Sequence, residues 1–287
     1  MENVYFDNAA TTRLDEDVLK EMLPYLREDY GNASAIYKLG RKSRKAIEES
    51  REKIAKVLNC KPNEIYFTAG GSESDNTAIK GIAHSYKNKG NHIITSKIEH
   101  PAVLETCKEL EKEGFEVSYI SVDENGVIDL EELKKAIKPT TILISVMFAN
   151  NEIGTIEPIK EIGKIAKENK IYFHTDAVQA VGSIKIDVQD LNIDSLSLSG
   201  HKFYGPKGIG ALYVRTGINF KKFIDGGHQE KNKRAGTENV AAIVGMGKAL
   251  EMAYEKMDEH NEKIRALRDY YESQVLEKIP YVKVNGN

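Results

Sequence analysis

The sequence predicts an α/β fold, a three-layer α/β/α domain on a mostly parallel sheet, and three observations carry that prediction. Short apolar runs alternate along the chain with longer segments whose apolar residues recur at helical spacing. One run, Thr141 to Phe148, is apolar almost throughout, as a strand must be when helices cover both of its faces. Polar residues then stand just past the runs, with Asp176 after one and Lys202 after another, where open α/β sheets gather their ligands.

Taken in order, residues 4–12 form a short apolar segment followed by small polar residues, which suits a chain entering a site. From Asp15, a natural N-cap, Val18, Leu19, Met22, Leu23 and Leu26 recur at helical spacing to Arg27. A long charged helix to about Leu58 places Ile47, Ile54 and Leu58 on one face and leaves its charges to solvent. Glu64 to Thr68 reads as a strand, and Ala69-Gly70-Gly71-Ser72-Glu73 leads into a helix from about Ser74. Such a Gly-rich entry is either a plain turn or a phosphate cradle, because the free N–H groups and dipole of a helix start favour an anion. His92 to Ser96 is the next strand, and Pro101 opens the helix after it. Asp123-Glu124-Asn125-Gly126 resembles the opening of a calcium loop, but its glycine comes too early and the spacing beyond fails, so a turn is expected. After the Thr141–Phe148 strand comes Asn150-Asn151-Glu152-Ile153-Gly154, and Pro158 opens a helix to about Asn169. Ile171 to Ala180 is a buried strand running out into a loop. Leu196 and Leu198, alternating with serines, form another, and Ala211 to Arg215 returns after a Gly/Pro-rich turn. Residues 238–278 are helical by periodicity, and Tyr281 to Val284 starts a further strand.

Lys202 and Asp176 together point to one chemistry. A lysine held between buried strands is partly desolvated, which lowers its proton affinity and frees a neutral amine for nucleophilic attack. A carboxylate at the neighbouring strand end supplies the second group that pyridoxal 5'-phosphate requires, a partner that keeps the pyridine nitrogen protonated. With these two in place, Gly71 and Ser72 become the candidate phosphate cradle.

FDNAATT, TAGGSESDN, IEHPAV, NNEIGT, HTDAVQA and SLSGHK, in this order from Phe6 onward, resemble the cysteine desulfurases of the NifS/IscS type, within the class-V aminotransferase family of fold type I pyridoxal-phosphate enzymes. The resemblance implies removal of sulfur from L-cysteine, leaving L-alanine and an enzyme persulfide for iron–sulfur cluster assembly or other sulfur delivery. It implies catalytic roles for Lys202, His100 and Asp176, with His100 stacked on the pyridine ring. It places Asn151 by the ring oxygen and the substrate carboxylate, Gln179 on the ring hydroxyl, and Ser199 and His201 with Gly71 and Ser72 on the phosphate. Thr237, in the Gly226–Asn239 loop, would reach the phosphate of a second subunit, so a homodimer is implied, with an iron–sulfur scaffold or other sulfur acceptor as a further partner. Ala33, Ala35 and Tyr37 stand where the family commonly has Pro, Ser and His, and Lys231 stands where arginine is usual. The family's nucleophilic cysteine is expected beyond Asn287. Neither Cys60 nor Cys107 matches its motif, so this chain as it stands is expected to form no persulfide. A different pyridoxal enzyme, an aminotransferase or β-lyase, and a non-catalytic binding module are the alternatives.

Residues 15–255 are therefore expected to form the large cofactor-binding domain, with 1–14 and 256–287 contributing to an incomplete small α+β domain. A formal net charge of −3 gives no electrostatic reason to expect nucleic acid. No apolar run is long enough to cross a bilayer, and the N-terminus reads as neither a signal nor a transit sequence, so a cytoplasmic location is expected. Two cysteines give no disulfide framework. His100, His174 and His201 lie past different strands without a close ligand pair, which argues against a metal.

Overall fold

A computed structural model describes residues 4–286. Its seven strands are β1 (Ile65–Thr68), β2 (His92–Ser96), β3 (Glu116–Ile120), β4 (Thr141–Ser145), β5 (Tyr172–Asp176), β6 (Ser195–Ser199) and β7 (Gly210–Val214), in one sheet ordered β1-β7-β6-β5-β4-β2-β3. The run from β6 to β3 is parallel, whereas β7 is antiparallel to both of its neighbours. Two successive antiparallel pairings restore direction, so β1 ends at the same edge as β2, β4, β5 and β6. That edge is where the connecting loops meet.

Period-2 alternation divides the apolar side chains between the two faces. Ile93, Leu143 and Leu212 join Ile79, Ile82, Val103 and Cys107 in one buried cluster, under α3 (Gly71–Tyr86) and α4 (Pro101–Lys112). Ile94, Ile144 and Tyr213 join the opposite cluster, with Ile47, Ile54 and Leu58 of α2 (Lys38–Leu58), Ile162 of α6 (Ile159–Glu168) and Met246 and Leu250 of α8 (Val240–Glu255). These are the three layers. Helix α8 crosses α1 (Glu16–Arg27) and α2 closely because it carries Gly245 and Gly247 at the contacts. A β-carbon on Gly245 would stand 2.6 Å from Met22 Sδ.

Several boundaries differ from the sequence expectation. The Thr141 strand ends at Ser145, although the Val146 and Phe148 N–H groups still donate across to His174 and Asp176 carbonyls. Helix α3 begins at Gly71 rather than Ser74. The 238–278 stretch is two helices broken at Lys256, the second being α9 (Met257–Lys278). Residues 281–284 form no strand, since no described strand runs beside them. Edge strand β3 and the short α5 (Leu130–Ala136) escape the pattern reading, β3 because its middle is only half-buried. Asp123 to Gly126 is a turn, with Asp123 Oδ1 accepting from Asn125 and Val127 N–H. No described helix is long and apolar enough to cross a membrane. The expected small-domain boundaries include residues 1–3 and 287, which lie outside the described residues.

One buried ion pair fixes the polar 226–239 loop to the sheet. Its short helical turn α7 (Gln229–Asn232) holds Glu230 at φ 43° and Lys231 at φ 57°, left-handed values that cost energy for residues with side chains. Glu230 grips the Arg51 guanidinium through both carboxylate oxygens at 2.7 and 2.8 Å, with both side chains buried, and also accepts from Phe67 N–H at 2.8 Å. Arg51 donates to the Ile65 carbonyl as well. The Glu230→Ala variant is expected to lose about 3–5 kcal/mol of stability, because it strands a buried guanidinium. The check is urea unfolding alongside Arg51→Met/Glu230→Met, which removes both charges and should lose less than the single variant. A single variant as stable as the wild type would show that the pair does not anchor the loop.

Candidate active site

A cavity of about 480 Å³ opens at the edge where the strands end. Strand β5 delivers Asp176 to its floor, and Gln179 follows three residues on. Strand β6 delivers Ser199, and a short 3₁₀ turn, Gly200–Lys202, swings His201 and Lys202 across. His100 caps α4, its Nδ1 accepting from Ala102 N–H at 3.1 Å, while Asn151 comes from the loop after β4. Gly71 and Ser72 arrive from the start of α3. The cavity wall thus gathers every residue predicted for the site except Thr237, which is exposed on its loop and does not line the cavity.

The N-terminal segment forms the remaining wall because it is zipped onto the Lys202 turn. Thr12 N–H and hydroxyl both donate to the His201 carbonyl at 2.9 Å, and Thr12 Oγ1 accepts from Tyr204 N–H. Lys202 Nζ then donates to the Ala9 carbonyl and, at 2.9 Å, to that of Ala10, while Gln179 Nε2 also donates to Ala9. Burial lowers the Lys202 proton affinity, and the Asp176 carboxylate partly opposes it. His201 is likewise held below its usual value, by burial and then by Lys202 and Lys207. Its Nδ1 lies 3.0 Å from Thr11 Oγ1.

Asp176 is buried, and burial raises it above the usual carboxylate range. The Val178 N–H, donating at 2.9 Å, and the charges of His100 and Lys202 pull it back. Behind it the α3-facing side of the sheet is polar: Ser145, His174, Ser195 and Ser197 are all buried there. His174 lies between Ser145 Oγ at 2.9 Å and Ser197 Oγ at 3.1 Å, and complete burial drives it down to about 3, so it is neutral. Glu99, missed in the sequence, is pushed up to about 8 by burial. Its Oε1 accepts from Ser96 Oγ and Met147 N–H.

The residues fit pyridoxal phosphate on two observations. Asp176 offers an acceptor whose cationic partner must come from within the cavity, which a protonated ring nitrogen supplies. The Gly70–Ser72 entry is open backbone. Gly70 sits at φ 153°, and a β-carbon on Gly71 would come within 2.6 Å of Val178, so both positions at the helix start favour glycine. A recess of about 490 Å³ continues beyond, sharing Gly71, Ser72, Ser199 and His201. Arg234, in the same loop as Thr237, clamps Glu73 of α3 through two hydrogen bonds at 2.9 and 3.2 Å. Lys231 donates to the Asn63 carbonyl at 3.0 Å. Among the described residues no group of three or more His, Cys, Asp or Glu is placed to hold a metal ion.

The class-V aminotransferase family pattern matches residues 4–287. Cysteine desulfurase IscS of Clostridium botulinum is 58% identical over 283 residues, covering 99% of this chain and 71% of its own length. The enzyme of the same name from Methanosarcina thermophila is 58% identical over 284 residues, covering 99% of this chain and 70% of its own. A solved NifS-like protein superposes with a TM-score of 0.94 at 44% identity, covering 96% of this chain and 76% of that one. A structure described as SspA in complex with cysteine gives a TM-score of 0.85 at 47% identity, covering 87% and 72%.

Neither cysteine lines the cavity. Burial pushes both thiols up to about 12, helped by Glu64 at Cys60 and by Glu99 and Glu111 at Cys107. At pH 7.5 both are therefore almost entirely thiol, the unreactive form. Iodoacetamide is expected to leave both unmodified in the folded protein and to alkylate both in urea, as intact mass will show. Rapid single labelling of the folded chain would contradict this.

Proposed function

The chain belongs to the class-V aminotransferase family and is a pyridoxal-phosphate-dependent cysteine desulfurase, and from that premise we propose how its own residues divide the work. The observation that carries the proposal is a desolvated lysine and a buried carboxylate, from adjacent strands β6 and β5, lining one cavity. When bound, pyridoxal phosphate supplies an electron sink for the substrate's α-carbon.

Lys202 would hold the cofactor through its amine once that amine leaves the Ala9 and Ala10 carbonyls. Its lowered proton affinity makes the neutral form accessible. Asp176 would hold the proton at the pyridine nitrogen. Gly71, Ser72, Ser199 and His201 would take the phosphate, and Gln179 the ring hydroxyl. Asn151 is the candidate contact for the L-cysteine carboxylate. His100, at the exposed lip with Nδ1 already engaged, would use Nε2, which makes no hydrogen bond among the described residues, to move a proton at the substrate. Desulfuration also calls for a thiolate, and neither Cys60 nor Cys107 is offered for that role.

We further take residues 15–255 as the cofactor-binding domain and 1–14 with 256–287 as part of a smaller one. In support, α9 buries only Met257 and exposes Leu267, Tyr270 and Tyr271. A homodimer is proposed in which Thr237, exposed beside the clamped Arg234, serves the second copy's phosphate. Sulfur would pass to an iron–sulfur scaffold or another acceptor protein in the cytoplasm.

Borohydride reduction of the cofactor-loaded protein followed by peptide mapping is expected to place the adduct on Lys202, and an adduct on another lysine rejects the assignment. The Asp176→Asn variant is expected to retain that adduct yet slow exchange of the L-cysteine α-hydrogen by at least about 10²-fold, followed by NMR in D₂O. Unchanged exchange would remove Asp176 from its role. Co-expressing Thr237→Val with Lys202→Ala tests the shared site: a mixed dimer whose phosphate affinity equals the mean of its parents would refute it.

A further inference from the structure

Asp75, one turn into α3, lines the same cavity as Asp176 and is 1% exposed. Among the described residues its Oδ1 has no hydrogen-bond partner. His174 Nε2 lies 3.6 Å from it, beyond hydrogen-bond reach, and that imidazole is neutral and already engaged by Ser145 and Ser197. An ionised carboxylate in such a place would need a cation or several donors. The groups acting on Asp75 are, after burial, the Asp176 carboxylate from β5, the Ser197 hydroxyl from β6 and Glu99 from the loop after β2, with no cation among them. Burial and Asp176 together drive its proton affinity well up. Lys202 and His100, which line the same cavity, act on Asp176 instead. Of two acids sharing one pocket, the one nearer the cations ionises and the other keeps its proton.

We propose that Asp75 is a positioning residue for Asp176, a neutral carboxylic acid that leaves Asp176 as the single negative charge facing the cofactor's ring nitrogen. This rests on the assignment of Asp176 above. A second negative charge on Asp75 would share the ring proton's attraction and hold Asp176 back from full ionisation. With Asp75 neutral, the floor carries one charge for one pyridinium.

Urea unfolding of the cofactor-free wild type and Asp75→Asn between pH 5.5 and 8 tests the neutral acid directly, whether or not the cofactor binds as proposed. An acid that holds its proton when folded and loses it when unfolded makes stability fall as pH rises above the unfolded value, near 3.8. The asparagine lacks that proton, so its folding constant should gain on the wild type by about tenfold per pH unit in this window. Parallel profiles would overturn the proposal. Should Asp75→Asn fail to fold, carboxyl-¹³C NMR of the wild type at pH 7 replaces it: an aspartate carbon with the neutral-acid shift is expected, and its absence overturns the idea. In the loaded protein, Asp75→Asn should keep pyridoxal phosphate affinity at pH 7 within about threefold, whereas loss beyond tenfold would show that a charge had been removed. An adduct mapped away from Lys202 would sink the function reading while leaving the cofactor-free result standing.

Discussion

A buried carboxylate with a single backbone donor is the constraint around which this structure is arranged. Asp176 holds one N–H, from Val178, and faces a cavity rather than a paired cation. Ionising such a group in the interior costs several kcal/mol unless a positive charge stands close by. Lys202 reaches it because β6 pairs in parallel with β5, with Asp176 opposite Ser197 in register, and the 3₁₀ turn begins just past Ser199. His100 reaches it from the loop after β2, two strands beyond β5 in the sheet. A sheet order that separated these strand ends would remove the influences of Lys202 and His100 that favour the Asp176 carboxylate.

The same geometry explains why the chain's beginning serves its middle. Residues 9–12 carry little apolar area, so hydrophobic burial does not hold them in place. The hydrogen bonds of Thr12 with His201 and Tyr204, and of Asp15 N–H with the Tyr204 carbonyl, do so instead. Once seated, the segment's own carbonyls at Ala9 and Ala10 occupy the Lys202 amine and keep it pointed into the cavity. Those contacts are exposed and short-ranged, so they hold the amine without trapping it.

Much of the site is legible in the sequence because strand ends announce themselves. An apolar run stops, and polar residues gather at the sheet edge at or just past its end, as Asp176, Asn151 and Lys202 do. What escapes is whatever departs from that rule. The serines alternating with Leu196 and Leu198 mark a strand but not its setting, and Ser195, Ser197 and Ser199 are buried. They face α3 and supply hydroxyls to a polar interior. Asp75 and Glu99 escape for the same reason, since a carboxylate on a helix or in a loop reads as solvated unless its buried setting is known. The Tyr281–Val284 alternation has strand character but finds no neighbouring strand, and pairing rather than propensity decides whether such a segment forms one. Glu230 sits in a Gly-rich polar loop whose sequence gives no sign of an anchor, and the Arg51 guanidinium some 180 residues earlier supplies it.

Burial, with carboxylates as neighbours, explains why the two thiols stay silent. A cysteine becomes a nucleophile near positive charge or a helix N-terminus. Cys107 faces the apolar cluster between α4 and the sheet, and the groups that act on it are Glu99 and Glu111, while Cys60 answers to Glu64. Lys202 and Lys207 instead line the cavity and its adjoining recess, which neither thiol lines. A thiolate that attacks sulfur in this cavity must enter from its open mouth, because no described thiol lies within the walls.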